Sequence, residues 1–218
     1  YYEIPNLELH LDANSIVGDD GDAVSIWYDQ SGKLRDFSQA TESKRPALKK
    51  NIINGQSVVR FDGTDDYLTC GINDIILGTA LTIAIVFAPK DTASGKGLYS
   101  FGDNPVDNLI FLLLQRNAGD VRYYMNGGYR ITTAQTSDAF KLHTLTWNGE
   151  LWSLFINGAA GGTYSGGANQ RGNSNLYLGS GYNGYTYADI AEFYMYSRTL
   201  DDSDRTLLEN KLIAKYGL

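Results

Sequence analysis

The sequence predicts an all-β fold, an antiparallel two-sheet β-sandwich that carries one α-helix at its C-terminus. Short segments of alternating apolar and polar residues recur along most of the chain, with turn signals roughly every eight to twelve residues. Helical spacing of apolar residues is confined to the end of the sequence. A hydrophobic content of 43% together with 24 glycines agrees with a packed core and many tight turns.

The first half of the chain is predicted to contain six strands. Val24, Ile26 and Tyr28 are spaced two apart, so we expect them on one face of a short strand. Residues 81–87 are apolar almost without interruption, which is typical of a central strand buried on both faces. The polar stretch around Pro46 contains no predicted strand. The predicted strands of this half are 7–11, 24–28, 57–61, 81–87, 98–101 and 109–114.

The second half contains the clearest hairpin signal. Asn148-Gly149 separates two apolar segments, and this pair is typical of a two-residue turn with positive φ angles. Asn126-Gly127-Gly128 predicts a second hairpin. The predicted strands of this half are 121–125, 129–133, 142–147, 151–156, 176–178 and 190–196, with loops over 159–174 and 179–187.

The C-terminal segment has the features of a capped helix. Apolar residues recur at helical spacing over 207–213, and Asp201 occupies the N-cap position before an acidic first turn. Gly217 is a stop signal, and Leu218 can supply the apolar contact of a Schellman motif. The sequence therefore predicts a helix over 202–215.

Composition limits the partners. A formal net charge of −7 argues against nucleic acid, which favours clustered lysines and arginines. The longest apolar run, 109–114, is too short to insert into a membrane. Cys70 is the single cysteine, so no internal disulfide forms, and we expect it to be a small buried residue. Residues 1–218 are expected to be one domain, excised from a larger protein because the chain opens at Tyr1 without methionine.

Four segments resemble motifs of one family. Residues 27–32 (WYDQSG), 58–68 (VVRFDGTDDYL), 145–158 (LTWNGELWSLFING) and 189–200 (DIAEFYMYSRTL) appear in the order found in laminin-G-like, concanavalin A-like domains of bacterial and phage proteins. The resemblance implies a jelly roll of two antiparallel sheets whose concave face and rim loops bind sugars. Such domains are appended to polysaccharide-degrading enzymes, adhesins and virion proteins, so the motifs say more about fold than about function.

The resemblance also implies a structural cation, Ca²⁺ or Na⁺, between the first strands and the closing strand. Asp189 begins that closing strand and is the expected ligand, with backbone carbonyls near Gly63 and Asp12. Asp62, together with Asp65 and Asp66, forms a second candidate group. The alternative for Asp62 is that its side chain closes its own turn.

Two tyrosine-bearing loops are the candidate glycan site, because aromatic rings stack on the apolar faces of sugars while amides and charged groups bind the hydroxyls. Both loops flank the predicted strand 176–178 and are expected to converge at one rim. The alternative is that these rings cover sheet edges. Trp27, Trp147 and Trp152 are expected in the core, whereas Tyr123 and Tyr124 are further candidates on a concave strand. The predicted ligand-binding residues are Tyr182, Asn183, Tyr185, Tyr187, Tyr164, Arg171 and Tyr129.

No catalytic residues are predicted. Retaining glycosidases of this architecture need two carboxylates about 5–5.5 Å apart, and Tyr187 stands where the first glutamate of the nearest matching segment, 187–192, would be. His143 lacks the sequence context of jelly-roll lyases and is expected to be partly buried. No Gly-x-Ser-x-Gly elbow is present.

The sequence leaves three functions open. The first is a non-catalytic carbohydrate-binding or adhesion module that recognises a glycan or polysaccharide. The second is a structural or protein-interaction domain of a phage virion or large surface protein, in contact with other domains of that protein. The third is a glycan-active enzyme. Each agrees with an extracellular, cell-surface or virion-associated location.

Overall fold

The computed structural model describes residues 2–71, 80–90, 96–101, 111–114 (backbone only), 119–125, 128–167, 175–181 and 184–218. Short 3₁₀ turns lie at Ala13–Ser15 and Glu42–Lys44. The helix α1 spans Asp202–Tyr216. The strands are β1 (Leu7–Asp12), β2 (Ile26–Trp27), β3 (Phe37–Ser38), β4 (Ala47–Ile53), β5 (Gln56–Asp62), β6 (Leu68–Gly71), β7 (Leu81–Pro89), β8 (Lys96–Phe101), β9 (Phe111–Leu114), β10 (Asp120–Met125), β11 (Gly128–Ala134), β12 (Lys141–Trp147), β13 (Leu151–Ile156), β14 (Ala159–Ser165), β15 (Asn175–Leu178), β16 (Ser180–Gly181), β17 (Gly184–Tyr185) and β18 (Tyr187–Tyr196).

Two antiparallel sheets of eight strands each form the predicted sandwich. One has the order β14-β13-β12-β7-β18-β5-β4, with β1 also paired to β18; because α1 packs on it, we name it the covered sheet. The other, which we name the open sheet, has the order β11-β10-β9-β8-β15-β6-β3-β2. A small separate hairpin joins β16 to β17. The all-β antiparallel architecture with a C-terminal helix is confirmed.

The central strand β7 shows why its sequence is apolar on both faces. Ile83, Ile85 and Phe87 point into the core between the two sheets, where the three tryptophans also lie buried. Ala84 and Val86 point the other way, into a second core beneath α1. Since both faces of the strand are covered, alternation disappears and a continuous apolar run remains.

The helix has the predicted termini. Asp201 accepts a hydrogen bond from the backbone N–H of Asp204 at 2.9 Å, which caps the first turn. Gly217 takes the left-handed conformation with φ of 68°, and its N–H bonds the Ile213 carbonyl. Leu212 on the inner face is fully buried against the covered sheet.

A buried carboxylate joins the helix to the closing strand β18. Glu192 is 1% exposed, and its Oε1 lies 2.9 Å from His10 Nε2 and 2.7 Å from the Tyr194 hydroxyl. Its Oε2 accepts from Lys215 Nζ at 2.6 Å and from the Tyr216 hydroxyl at 2.7 Å. Burial by itself would raise the pKa of Glu192, but hydrogen bonds from His10 and Lys215 outweigh burial and lower that pKa to about 2.

Two expectations about the covered sheet were wrong. The stretch after Pro46 is not a loop but strand β4, which a turn at Asn54 and Gly55 connects to β5. Lysines and asparagine on the exposed side of this edge strand hide its alternation. Residues 159–165, expected in a loop, form the edge strand β14, because Asn157 and Gly158 both have positive φ and reverse the chain.

On strand β2, the predicted burial of Trp27 is confirmed. Trp27 is fully buried, whereas Ile26 and Tyr28 are 39% and 55% exposed. A single indole has more apolar area to bury than either neighbour, and it sets which face of this short edge strand points inward.

We expect Glu192→Gln to lower the free energy of unfolding at pH 7 by about 2–4 kcal/mol, because Lys215 loses its buried counter-charge. Because the pKa of Glu192 is lower in the folded protein, its stabilising contribution is present above about pH 4.5 and lost as pH falls towards 2. Urea unfolding at pH 7 and pH 2.5 should therefore show a smaller difference between the two proteins in acid. The exposed substitution Glu150→Gln is the control; an equal difference at both pH values would contradict this linkage.

Candidate functional site

The outer face of the open sheet presents polar and aromatic side chains. Along β15, Leu176 and Leu178 are fully buried in the core, so Asn175 and Tyr177 between them project outward. Thr69 on the neighbouring strand β6 lies opposite Tyr177 and faces the same way. Among the described residues, the long helix packs on the other sheet and not on this face.

Three half-buried tyrosines meet on this face, and we name them the tyrosine platform (Tyr67, Tyr177 and Tyr185). The ring centroids of Tyr67 and Tyr177 are 6.1 Å apart with the planes tilted by 48°. Those of Tyr67 and Tyr185 are also 6.1 Å apart, with planes 29° from parallel. Asn175 Nδ2 reaches the Tyr177 hydroxyl at 3.4 Å. The platform thus combines ring faces with an amide, the mixture that sugar binding uses.

The β16–β17 hairpin carries Tyr185 to the platform by packing directly on β8. A Cβ atom added to Gly181 would lie 2.7 Å from the Gly97 Cα, so the two backbones touch. Ser100 Oγ donates to the Ser180 carbonyl at 3.0 Å, and the N–H of Gly179 donates to the Leu98 carbonyl at 2.8 Å. Glycine is needed at both contact positions because any side chain would separate the hairpin from the sheet.

Beside the platform lies an acidic turn (Asp62–Asp66). Asp62 Oδ1 accepts from the N–H of Thr64 at 2.7 Å, and Asp66 Oδ2 accepts from the N–H of Asp62 at 3.0 Å. The carboxylates of Asp62, Asp65 and Asp66 have oxygens within 4.8 Å of one another. Burial, with the charges of the other two aspartates, raises the pKa of Asp66 to about 6.

The predicted glycan residues are only partly brought together. Tyr185 is in the platform, whereas Tyr187, two residues further on, contacts the acidic turn: its Cβ lies 2.9 Å from the position of a Cβ added to Gly63. Tyr182, Asn183 and Arg171 lie outside the described residues.

Tyr129 and Tyr164 belong to the other end of the sandwich and are not brought to the platform. Because 168–174 and 182–183 lie outside the described residues, the convergence of the two loops at one rim stays a prediction. Tyr164 is on β14, with the Arg130 guanidinium of β11 5.0 Å from its ring. Tyr129 on β11 contacts the Tyr124 ring at 5.4 Å. Strand β11 is five spacings from β6 in the open sheet, or about 24 Å.

Other aromatic expectations can be compared directly. The three tryptophans are buried, as predicted, and so is Cys70. Tyr123 was a candidate for the concave face, but it is fully buried and its hydroxyl lies 2.8 Å from His143 Nδ1. His143 is 1% exposed rather than partly buried, and burial lowers its pKa to about 3, so it is neutral.

Sequence reasoning did not select Tyr67 and Tyr177. Both carry a detectable signal. Tyr177 stands between two leucines of a strand, so alternation alone directs it away from the core. Tyr67 directly precedes the buried Leu68 and is therefore directed outward. Both positions lie on or directly beside strands, whereas binding residues are more frequent in loops.

The predicted cation ligands have other partners. Asp189 is fully buried, and its oxygens accept from Arg60 Nε at 2.7 Å and Arg60 Nη2 at 2.9 Å, with Lys90 Nζ 3.3 Å away. The Gly63 carbonyl accepts from Lys96 Nζ at 3.0 Å. Asp62 closes its own turn, as the alternative expected. Ca²⁺ or Na⁺ binding stays a prediction, and Asp62 is the better placed of the two residues because other carboxylates converge on it.

A second group of potential ligands, His10, Asp12 and Glu192, surrounds an internal cation. Lys215 Nζ lies 2.7 Å from Asp12 Oδ2 and 2.6 Å from Glu192 Oε2, so an ammonium already bridges the two carboxylates. Glu192 is buried, so a sugar cannot reach it. It is also ionised, so it lacks the proton that a general acid in glycoside hydrolysis must donate.

One further concave feature lies at the β2 edge of the open sheet. It is a cavity of about 270 Å³ between residues 15–17 and 23–28, and Tyr28 is its single aromatic lining residue. Over the described ranges, no helix has the length and apolar character required to cross a membrane.

Comparison with known proteins identifies the architecture. A family model described as the concanavalin A-like lectin/glucanases superfamily matches residues 62–204, more than half of the chain. No curated protein matches the sequence at a significant level.

Solved structures with similar folds have low sequence identity. Trypanosoma rangeli sialidase in complex with sialic acid has a TM-score of 0.71 at 16% identity, covering 96% of this chain but 33% of the sialidase. Domain 4 of an extracellular arabinanase from Geobacillus stearothermophilus, in complex with arabinotriose, has a TM-score of 0.71 at 13% identity and covers 94% of this chain and 98% of that domain. The receptor-binding domain of botulinum neurotoxin C/D mosaic serotype has a TM-score of 0.70 at 12% identity, with coverages of 95% and 52%. The chain thus spans about a third of the sialidase, and at these identities the likeness concerns the fold.

We expect Gly181→Ala to move the β16–β17 hairpin off β8, because the new methyl group would meet the Gly97 backbone. Ring-to-ring nuclear Overhauser effects between Tyr67 and Tyr185 should weaken, while the resonances of the core between the sheets stay in place. Gly167→Ala is the control, since a Cβ there meets no atom within 4 Å. Unchanged Tyr67–Tyr185 contacts in the Gly181 variant would disprove the positioning role of this glycine pair.

Asp66→Asn is expected to gain stability relative to the parent as pH rises. The fold prefers protonated Asp66, whose pKa is raised to about 6, so the parent loses stability between about pH 4 and pH 6 while the amide does not. The amide oxygen can still accept the Asp62 N–H. Urea unfolding at pH 4 and pH 7.5 should show the relative gain, about 1–3 kcal/mol. A pH-independent difference would mean that the carboxyl group titrates normally.

Proposed function

Because the chain belongs to the concanavalin A-like lectin/glucanases superfamily, we propose that it is a non-catalytic carbohydrate-binding domain that holds a glycan against the tyrosine platform. The observation that carries the proposal is the meeting of three tyrosines from separate segments on the uncovered sheet face. Packing of the core does not explain why these three rings lie together on the outer face. Binding of a partner explains their position better than core packing does.

The platform has the dimensions and chemistry for a sugar chain. Ring centroids about 6 Å apart fit the length of one sugar ring, so adjacent residues of a glycan can lie on adjacent tyrosines. The Asn175 amide and the tyrosine hydroxyls lie at the edges of these rings, where sugar hydroxyls would be. Tyr187, Tyr182 and Asn183 are expected to extend the surface from the hairpin.

The comparisons support the same function. The arabinanase domain, nearly the same length as this chain, binds arabinotriose, and the toxin domain binds a receptor. The sialidase resembles this chain over only a third of its own length, so its binding of sialic acid is weaker support. By analogy, this domain would direct a larger extracellular, cell-surface or virion-associated protein to a glycan.

The carboxylates near the platform argue for binding without catalysis. Asp62 and Asp66 hold the acidic turn together through backbone hydrogen bonds, and Asp66 is only 6% exposed. A retaining hydrolase would need two carboxylates reaching into an open cleft from opposite sides of the sugar bond. The platform is an open face, so we expect weak affinity per site, increased when several copies are displayed together.

Tyr67→Ala and Tyr185→Ala are each expected to reduce glycan affinity at least about tenfold, since each removes a stacking surface. Binding is measured on a printed glycan array and then by affinity electrophoresis in gels containing the polysaccharide that the array identifies. Tyr28→Ala is the matched control, because Tyr28 is 55% exposed and lies at the β2 edge.

Melting temperatures separate loss of binding from loss of fold. Retention of glycan by both platform variants would rule out the tyrosine platform as the binding site. Release of reducing ends from any polysaccharide would replace the binding function with an enzymatic one.

A further inference from the structure

We infer that the tyrosine platform selects uncharged glycans and discriminates against glycans that carry carboxylate or sulfate groups. This inference rests on the proposed function and concerns the charge of the ligand at the same site. It follows from what surrounds the platform, since the three aromatic rings themselves have no charge preference between sugars.

The acidic turn is joined to the platform at two points. Asp65 and Asp66 directly precede Tyr67, so the chain passes from the carboxylates into the first platform ring. On the other side, Gly63 touches Tyr187, two residues beyond Tyr185. A glycan bound to the platform would therefore lie close to three carboxylates. The oxygens of these carboxylates are within 4.8 Å of one another.

The cations nearby do not neutralise this end of the sheet. Lys96 Nζ donates to the Gly63 carbonyl at 3.0 Å, so this ammonium group is held at a turn that carries three carboxylates. Arg60 is bonded to the buried Asp189 and is part of another ion pair.

Anionic groups are usually recognised by arginine, which donates two parallel hydrogen bonds to a carboxylate or sulfate. Described arginines of the open sheet, Arg122 and Arg130, lie on β10 and β11, several strands from the platform. Arg122 is already bonded to Asp120 through Nε and Nη2. The described arginine nearest the platform is Arg45, next to Lys44, whose carbonyl accepts the Tyr67 N–H. Its Nε and Nη2 are already bonded to the backbone carbonyls of Gln39 and Ala40, so they are not directed at a ligand on the platform.

The size of the effect can be bounded. One unit charge about 8 Å from another, in a surface environment, changes affinity by roughly two- to fivefold. Screening by salt reduces this effect, because the Debye length falls from about 8 Å at physiological ionic strength to about 4 Å in 0.5 M salt. Discrimination should therefore be strongest in dilute buffer.

The test is a glycan array that carries neutral glycans beside their sialylated, sulfated and uronic-acid counterparts, probed with the parent protein at low and high salt. The variant Asp65→Asn removes one charge next to the platform. Asp65 takes part in the turn by donating its backbone N–H to Asp62 Oδ1, and this hydrogen bond is kept in the variant. Glu150→Gln makes the same change in net charge on the exposed β12–β13 connection.

We expect the parent to bind neutral members of each pair, Asp65→Asn to bind the charged members about two- to fivefold better than the parent does, and Glu150→Gln to match the parent. Equal or stronger binding of the charged members by the parent would overturn the charge selection and leave the binding function intact. An equal gain from both variants would assign the effect to net charge and also overturn it. Binding to no glycan at all would instead refute the proposed function.

Discussion

A buried carboxylate, Glu192, joins the C-terminal helix to the covered sheet. Glu192 receives hydrogen bonds or ionic contacts from the first strand, from its own strand and from the end of the helix, so three distant parts of the chain meet at one group. Removing such a charge from water is costly, and the cost is offset only when every donor is in place. Together with the apolar core beneath it, this contact holds the helix on one sheet, and the proposed glycan site lies on the other.

The candidate site is assembled from aromatic rings and backbone contacts rather than around a buried charge. Its three rings come from the start of β6, from β15 and from a small hairpin, and backbone contact between Gly97 and Gly181 rather than side-chain packing brings the hairpin into place. A rigid sheet supplies two of the rings, so little conformational entropy is lost when a ligand settles on them. The charged contact that stabilises the fold thus lies on the covered sheet, whereas the proposed binding surface is aromatic and lies on the open sheet.

Acidic residues serve different purposes in the two halves. Glu192 and Asp189 are paired with cationic side chains beneath the surface, where they fix strand and helix positions. The aspartates of the acidic turn instead satisfy their own backbone and leave negative charge beside the platform. The positions of the charged residues therefore indicate more about a partner than the net charge of −7 does.

The sequence by itself determined the architecture, because alternation, Asn-Gly turns and a capped amphipathic end are local patterns that each specify local structure. It identified β7 as central and α1 almost to the residue. It did not predict β4, because exposed lysines hide the alternation of apolar and polar residues there. It also predicted a loop over the residues that form β14. Only the tertiary structure decided the site: Tyr67, Tyr177 and Tyr185 are neighbours because β6 pairs with β15 and the hairpin folds over β8, while Tyr129 and Tyr164 lie at the far end. Proximity of this kind depends on strand order, which residue periodicity does not encode.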